Sequence, residues 1–262
     1  MTDTPQITDS HCHLDFDSLR EDLPGVLERA EEAGVTRMVT ICTRLKNEPA
    51  VRAIAEAHDP VFYAAGTHPM SAAEEPLATV DELLALTRHP KMVGIGETGL
   101  DYHYTADSAE VQKQSLRIHI TAARETGLPL IIHTRGAKED TLALLREHGE
   151  GEVRGVLHCF TEDLDMAEQA MALGFYISIS GIVTFRNAEA LRDTVRQVPL
   201  ERLLIETDSP WLAPVPYRGK PNEPRYVARV AECVAELKGI PVAELAALTR
   251  DNFYTLFNKA AR

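Results

Sequence analysis

Two histidines close to the N-terminus, His11 and His13, are the first residues in this chain with the character of metal ligands. They follow a strand-like run, 6–9, and successive side chains on a strand point to opposite faces. His11 and His13 therefore share one face, whereas Cys12 points to the other. Because two imidazoles on one face can bind one metal ion, this pair predicts part of a metal site.

Further potential ligands stand at the ends of later apolar runs: Glu97, His133, His158 and Asp208. Either histidine alone would more often be a buried packing residue. A carboxylate that ends a buried strand is costly unless it is paired, hydrogen-bonded or bound to metal. A catalytic zinc usually takes three protein ligands, and the two groups together offer six. Two ions that share a bridging carboxylate would use them all, and such a pair suits displacement at phosphorus or hydrolysis at a carbonyl.

The elements that must position these residues alternate between short β-rich runs and longer amphipathic runs, which is typical of a parallel sheet. The predicted strands span 6–9, 38–42, 61–65, 92–97, 129–133, 155–158, 175–180 and 203–208. The predicted helices span 19–33, 48–57, 80–87, 109–126, 140–147, 163–173, 188–196, 226–238, 242–247 and 250–259.

Eight βα units in a chain of 262 residues predict one domain, 1–262, folded as a TIM (β/α)8 barrel. A doubly wound open sheet is the alternative. In a TIM barrel the chemistry lies at the C-terminal ends of the strands. The candidate ligands all fall at such ends, so the barrel would bring them together at one mouth.

Composition bounds the class of protein. The net charge of −13 argues against a broad basic surface that coats nucleic acid, but it leaves room for a local phosphate site. The cysteines, 4 in number, form no Cys-X-X-Cys pair, so neither a disulfide framework nor a thiolate zinc site is indicated. No apolar run is long enough to span a bilayer, and the start, 1–5, lacks the features of a secretory signal. We therefore expect a cytoplasmic protein without a membrane partner, and a monomer.

Other residues could contact a substrate at the same mouth. His68, which precedes Pro69 at the end of the third strand, is expected to contact substrate or donate a proton. Arginine forks suit phosphate, although arginines are also common on loops, and the only tryptophan could stack on a base or simply brace its loop. These candidates follow predicted strands two, five, seven and eight: Arg44, Arg135, Arg186, Arg218 and Trp211.

With these residues assembled, the chain resembles the TatD family of metal-dependent hydrolases, within the amidohydrolase-like TIM barrels. The resemblance covers nearly the whole chain. It rests on the segments 9–15 (DSHCHLD), 66–69 (GTHP), 94–102 (GIGETGLDY), 132–135 (IHTR), 158–160 (HCF), 206–212 (ETDSPWL) and 219–224 (GKPNEP). One departure is visible: Gly136 stands where the family commonly has an acidic residue, which bears on loop shape or substrate contacts and not on the metal set.

The resemblance implies two divalent ions, with Mg²⁺, Mn²⁺ and Zn²⁺ as the candidates. His11, His13 and Asp208 would bind one ion, His133 and His158 the other, and Glu97 would bridge them. It also implies hydrolysis of DNA, often from the 3′ end of single strands. Asp208 would then orient the attacking water or take its proton, and His68 with the loop arginines would hold the phosphate.

Two other functions stay open at this stage. The same barrel and similar ligands serve esterases, lactonases and deacylases, and the acidic composition favours such a small-molecule hydrolase. A metal-holding scaffold without turnover is the other alternative. The complete set of ligands, which includes a water-activating carboxylate at Asp208, argues against the scaffold.

Overall fold

Eight parallel strands pair in chain order from β1 to β8 in the computed structural model, which describes residues 5–260. The expectation that the start lacks a secretory signal depends mainly on residues 1–4, which lie outside the described residues. The strands are β1 (Ile7–Cys12), β2 (Val35–Cys42), β3 (Val61–Ala65), β4 (Met92–Asp101), β5 (Leu130–Arg135), β6 (Gly155–Leu157), β7 (Phe175–Ile179) and β8 (Leu203–Ile205).

Helices follow the strands and pack around the sheet. They are α1 (Asp17–Arg20), α2 (Leu23–Glu32), α3 (Glu48–Ala57), α4 (Val80–Leu86), α5 (Ala109–Thr126), α6 (Lys138–Gly149), α7 (Leu164–Ala172), α8 (Glu189–Gln197), α9 (Val227–Lys238) and α10 (Val242–Leu256). Within residues 5–260, none of the helices combines the length and apolar content that crossing a membrane requires.

The ends of the first and last strands close the sheet on itself. The backbone N–H of His13 donates to the carbonyl of Ser209 at 2.8 Å, and that of Asp208 donates to the carbonyl of His11 at 2.9 Å. Asp9 adds a side-chain link, because its carboxylate accepts the backbone N–H of Thr207 at 2.9 Å. Closure in chain order confirms the predicted TIM barrel and excludes the doubly wound sheet.

The inside of the barrel is filled from strand residues and sealed by one helix. A compact cluster takes alternate inward-facing residues from strands β2 to β8, such as Ile41 and Leu204, and only α10 among the helices. Phe253 of α10 and Phe257, the residue after it, are fully buried in it. These two phenylalanines lie at the end of the barrel opposite the candidate ligands, so they leave the ligand end free for a polar site.

The structure corrects the predicted helix boundaries in two places. The predicted helix 19–33 is two helices, α1 and α2, because Pro24 lacks an N–H and occupies the first turn of a new helix. The two short helices predicted near the C-terminus are one helix, α10. At the expected break the Thr249 hydroxyl donates to the carbonyl of Leu245 at 3.0 Å within the helix, and beyond it the buried Asn252 side chain ties the helix to the carbonyls of Leu200 and Leu203, both at 2.8 Å.

The structure also corrects the end of the fourth strand. The predicted loop after Glu97 is the second half of β4, which pairs with β5 as far as Asp101 and Arg135. This pairing places Gly99 opposite His133, with a φ of +139° at Gly99. A Cβ atom added at Gly99 would lie 1.9 Å from the backbone oxygen of His133. Only glycine therefore lets β4 run past the candidate ligand on β5.

We predict that Gly99→Ala destabilises the fold by more than about 4 kcal/mol, because the new methyl group must displace the β5 backbone at His133. Gly127→Ala is the matched control. Gly127 also has a positive φ, +67°, but no atom lies within 4 Å of its added Cβ, so the control should lose only about 1–2 kcal/mol. Urea unfolding of the three proteins measures both losses. Equal losses in the two variants would contradict the close approach of β4 to β5.

Candidate metal centre

Glu97 lies at the middle of the barrel mouth and is 2% exposed. Its Oε2 atom faces two imidazoles of β1 and the loop that follows, at 3.4 Å from His11 Nε2 and 4.0 Å from His13 Nε2. The two Nε2 atoms are 3.1 Å apart. Asp208 completes this group, with its Oδ1 atom 3.3 Å from His13 Nε2 and 3.6 Å from His11 Nε2. Four ligand atoms from three strand ends thus converge on one small volume.

The other oxygen of Glu97, Oε1, faces a second group of imidazoles. His158 Nε2 lies 2.7 Å from it, His133 Nδ1 3.3 Å and His68 Nε2 3.2 Å. One carboxylate therefore presents one oxygen to each of two donor groups. This is the geometry of a carboxylate that can bridge two cations.

The electrostatics of the mouth fit a cationic ligand. Burial alone would raise the pKa of Glu97, but the surrounding imidazoles, His158 foremost, hold that pKa well below its usual value. Burial likewise opposes ionisation of Asp208, and hydrogen bonding to His13 leaves its pKa lowered. Two buried, ionised carboxylates among nitrogen donors form a set that Zn²⁺ or a similar divalent ion accepts. The residues present thus fit the metal that the sequence predicts.

Two further buried carboxylates orient the histidines of the second group. Asp101 Oδ2 accepts from His133 Nε2 at 3.1 Å, and Glu206 Oε1 accepts from His158 Nδ1 at 3.2 Å. Each bond occupies the ring nitrogen that points away from Glu97, and so leaves the facing nitrogen free as a ligand atom. Neither carboxylate was singled out from the sequence. Asp101 follows the predicted fourth strand, 92–97, and Glu206 lies within the predicted eighth strand, 203–208, and neither position marks it as a partner of a histidine.

His68 differs from the other imidazoles in its hydrogen bonds. Its Nδ1 atom accepts the backbone N–H of Met70 at 3.2 Å, so the ring proton belongs on Nε2. That N–H points toward Glu97 Oε1 and makes His68 a hydrogen-bond donor at the mouth. The distances alone would also allow His68 to join a metal-binding group with Glu97 and His133.

Asp208 reaches the mouth through a left-handed backbone turn. Its φ is +54°, a conformation that Asp tolerates better than most residues. β8 ends at Ile205, earlier than the predicted 203–208, so Asp208 lies three residues past the strand, where the bond from its N–H to the carbonyl of His11 holds the turn. Backbone strain of this kind concentrates at functional sites.

The predicted substrate contacts differ in whether they line both cavities at the mouth, one of them or neither. Trp211 borders two cavities that open onto the metal centre, Arg44 lines one of them and Arg135 the other. Arg44 is paired with Glu74 and Glu75. Arg186 and Arg218 line neither cavity, and Arg218 instead lies over the Phe185 ring, 3.6 Å from its centroid.

Comparison with known proteins identifies the class. The family model described as TatD related DNase matches residues 8–258. The uncharacterized metal-dependent hydrolase YcfH of Escherichia coli K12 is 49% identical over 255 residues, which are 96% of each chain. The uncharacterized metal-dependent hydrolase YabD of Bacillus subtilis is 42% identical over 95% of this chain and 98% of its own.

A solved structure agrees with these relatives. The crystal structure of YjjV, a TatD homologue from Escherichia coli K12, superposes with a TM-score of 0.90 at 34% identity, over 96% of this chain and 98% of that one. The barrel and its candidate metal centre are those of a metal-dependent hydrolase. The chain belongs to the TatD family.

A buried histidine behind the mouth holds the loop that carries His68. His119 of α5 is fully buried, its Nε2 atom accepts the backbone N–H of Thr67 at 3.1 Å, and its Nδ1–H donates to the carbonyl of Ser115 at 2.7 Å. The bond from Thr67 requires an unprotonated Nε2 atom, and with Nδ1 carrying the ring proton His119 must be neutral. Burial lowers the pKa of His119 to about 4.

We predict that His119 makes the fold sensitive to acid. Between pH 6.5 and about 4 the unfolded chain binds a proton at His119 and the folded chain does not. The contribution of neutral His119 to the free energy of unfolding is therefore fully present above pH 6.5 and is lost as the pH falls toward 4. The loss is about 3 kcal/mol. Urea unfolding of the metal-free protein at pH 7 and pH 4 measures it, with His119→Gln as the variant that lacks the titrating ring. If both proteins lost the same free energy over this interval, the assignment would be wrong.

Proposed function

We propose that this protein is a two-metal phosphodiesterase that hydrolyses single-stranded DNA from its 3′ end. The observation that carries the proposal is the position of Glu97, whose two oxygens face different ligand nitrogens. A pair of cations held on the two sides of this carboxylate would suit in-line displacement at phosphorus.

The chain supplies a complete ligand set for two ions, of which Mg²⁺, Mn²⁺ and Zn²⁺ are the candidates. His11, His13 and Asp208 would hold one ion and His133 with His158 the other, while Glu97 would contact both. Such ions, when bound, lower the pKa of a coordinated water and polarise a phosphoryl oxygen.

Asp208 is the residue best placed to act as the general base. Its side chain is 14% exposed at the mouth, whereas that of Glu97 is only 3% exposed. Its lowered pKa keeps it ionised at neutral pH, so it can accept a proton from the attacking water. The proton then passes to the leaving oxygen, and the products are a phosphomonoester and an alcohol.

The surrounding residues position the reacting groups. The Nε2–H of His68, whose side chain is 15% exposed, can donate a hydrogen bond to an oxygen of the phosphate. Asp101 and Glu206 keep the rings of His133 and His158 in fixed orientations. Loss of either carboxylate would act through the histidine that it holds.

A small-molecule ester, lactone or amide is the second candidate substrate class. The net charge of −13 favours it, and so does the pairing of Arg44 with Glu74 and Glu75, which removes one expected phosphate ligand. The family model supports the nuclease through its printed description, TatD related DNase. Substrate choice is therefore the point to test.

We predict that Asp208→Asn keeps the fold and lowers the turnover of single-stranded DNA by about 10²–10⁴-fold, since it removes the base. The assay follows end-labelled DNA in chelator and then with added Mg²⁺, Mn²⁺ or Zn²⁺. The variant, purified in the same way, is the control for contaminating nuclease. A label at each end in turn gives the polarity of digestion.

Near-normal turnover in a folded, metal-loaded Asp208→Asn protein would contradict the role of Asp208. If wild-type protein that holds two ions cleaves no DNA with any metal but hydrolyses chromogenic esters, the small-molecule hydrolase replaces the nuclease.

A further inference from the structure

The metal centre opens on two cavities, not one. Their volumes are about 500 and 690 Å³. The residues that border both are Met70, His133, His158, Asp208 and Trp211. The candidate ligands thus lie where the cavities meet, and a bound substrate can extend from the reacting atoms in two directions.

The two cavities lie on different sides of the barrel mouth. One is lined by residues that follow β1, β2 and β3, among them Phe16, Arg44 and Glu74; we call it the β1–β3 lobe. Apart from the shared residues, the other is lined mainly by residues of β5 and by residues that follow β6 and β7, such as Arg135, with Tyr104 from after β4 and Leu212 from after β8; we call it the β5–β7 lobe. Because the strands follow one another around the barrel in chain order, the two lobes flank the metal centre.

The lobes differ in the charge that they offer a substrate. In the β1–β3 lobe, Arg44 pairs with Glu74 and Glu75. The charge of the arginine that lines this lobe is thus neutralised by carboxylates, and Glu74 itself lines the cavity. Among the described residues that line this lobe, no lysine or arginine is left unpaired for a second phosphate.

The β5–β7 lobe holds an available cation. Arg135 is exposed, and within residues 5–260 no carboxylate lies within ion-pair distance of it. Its guanidinium lies over the Tyr104 ring, 4.6 Å from the centroid. Contact with the ring face restrains the guanidinium while its N–H groups, which lie in the guanidinium plane, stay free to bind a phosphate at two points.

The β1–β3 lobe offers apolar surface in place of charge. Phe16, which lines only this lobe, meets Trp211 of the shared border edge to face, with the ring centroids 4.7 Å apart, and Trp211 is 45% exposed. An exposed indole suits stacking on a nucleobase. This lobe therefore fits a terminal nucleoside that carries no further phosphate.

We propose that the β5–β7 lobe binds the phosphate on the 5′ side of the scissile phosphate through Arg135, and that the β1–β3 lobe receives the 3′-terminal nucleoside. The proposal rests on the phosphodiesterase function above and adds the direction in which the strand lies. Tyr104 acts as a positioning residue for the Arg135 guanidinium.

Dinucleotides test this assignment directly. A dinucleotide has only the scissile phosphate, whereas a 5′-phosphate adds a group for the β5–β7 lobe and a 3′-phosphate adds one for the β1–β3 lobe. A charge-assisted hydrogen bond to the added phosphate should raise kcat/KM about 10-fold to 100-fold for the 5′-phosphorylated form. The 3′-phosphorylated form should be no better than the parent, because Glu74 repels its phosphate.

The Arg135→Gln variant tests whether Arg135 binds the 5′-phosphate. The measured quantity is the ratio of kcat/KM for the 5′-phosphorylated dinucleotide to that for the parent, with metal content determined in each protein. We expect this ratio to fall to about 1 in Arg135→Gln. Tyr104→Leu should lower this ratio only in part, since Arg135 keeps its charge but loses the ring that restrains its guanidinium. Arg146→Gln removes the same charge from the exposed face of α6, outside both cavities, and should leave the ratio as in the wild type.

Each failure has a distinct signature. If the wild type cleaves dinucleotides but the 5′-phosphate gives no gain, if the gain survives in Arg135→Gln, or if the 3′-phosphate gives the gain, the lobe assignment is overturned and the phosphodiesterase stands. If metal-loaded wild type cleaves no dinucleotide and no longer strand, the proposed function itself fails.

Discussion

A buried negative charge at Glu97 is the constraint on which the rest of this structure depends. An isolated carboxylate at 2% exposure would be too costly to keep ionised. Five imidazoles lie within 4.0 Å of it and hold its pKa low. Without a cation, the balancing charge falls to His13, His133 and His158, whose pKa values are raised beside these carboxylates. Divalent cations between the carboxylates would take over that role, so both the charge and the geometry of the site favour metal binding.

The barrel surrounds Glu97 with its partners by bringing together residues that are far apart in the chain. The ligands come from β1, β4, β5, β6 and β8 or from the loops that follow them, and closure between His13 and Ser209 fixes the first and last of these against each other. A second set of buried carboxylates, Asp101 and Glu206, lies behind the ligands and fixes ring orientation. Each ligand lies within a strand or within three residues of its end, where positions are set more precisely than on longer loops.

The sequence predicts the barrel, which the structure confirms, and the candidate ligands, which the barrel brings together, because both have a local signature. Strand and helix periodicity marks the eight units, and a histidine or carboxylate at the end of an apolar run is conspicuous. Asp101 could not be recognised in the same way, since GETGLD reads as a turn until pairing with β5 shows that the strand continues. The neutralisation of Arg44 by Glu74 and Glu75 depends on contacts across 30 residues of chain, and no local pattern predicts it. The division of the mouth into two lobes is likewise a property of the assembled loops.

The most direct test of this account is the number of metal ions that the protein binds with and without the Glu97 carboxylate. Apo protein titrated with Zn²⁺ or Mn²⁺ in a calorimeter should bind two ions, and Glu97→Ala should weaken the binding of both. Glu152→Ala, which removes an exposed charge from a loop away from the mouth, should bind as the wild type does. Unchanged stoichiometry and affinity in Glu97→Ala would contradict the bridging carboxylate, and with it the two-metal centre proposed for this barrel.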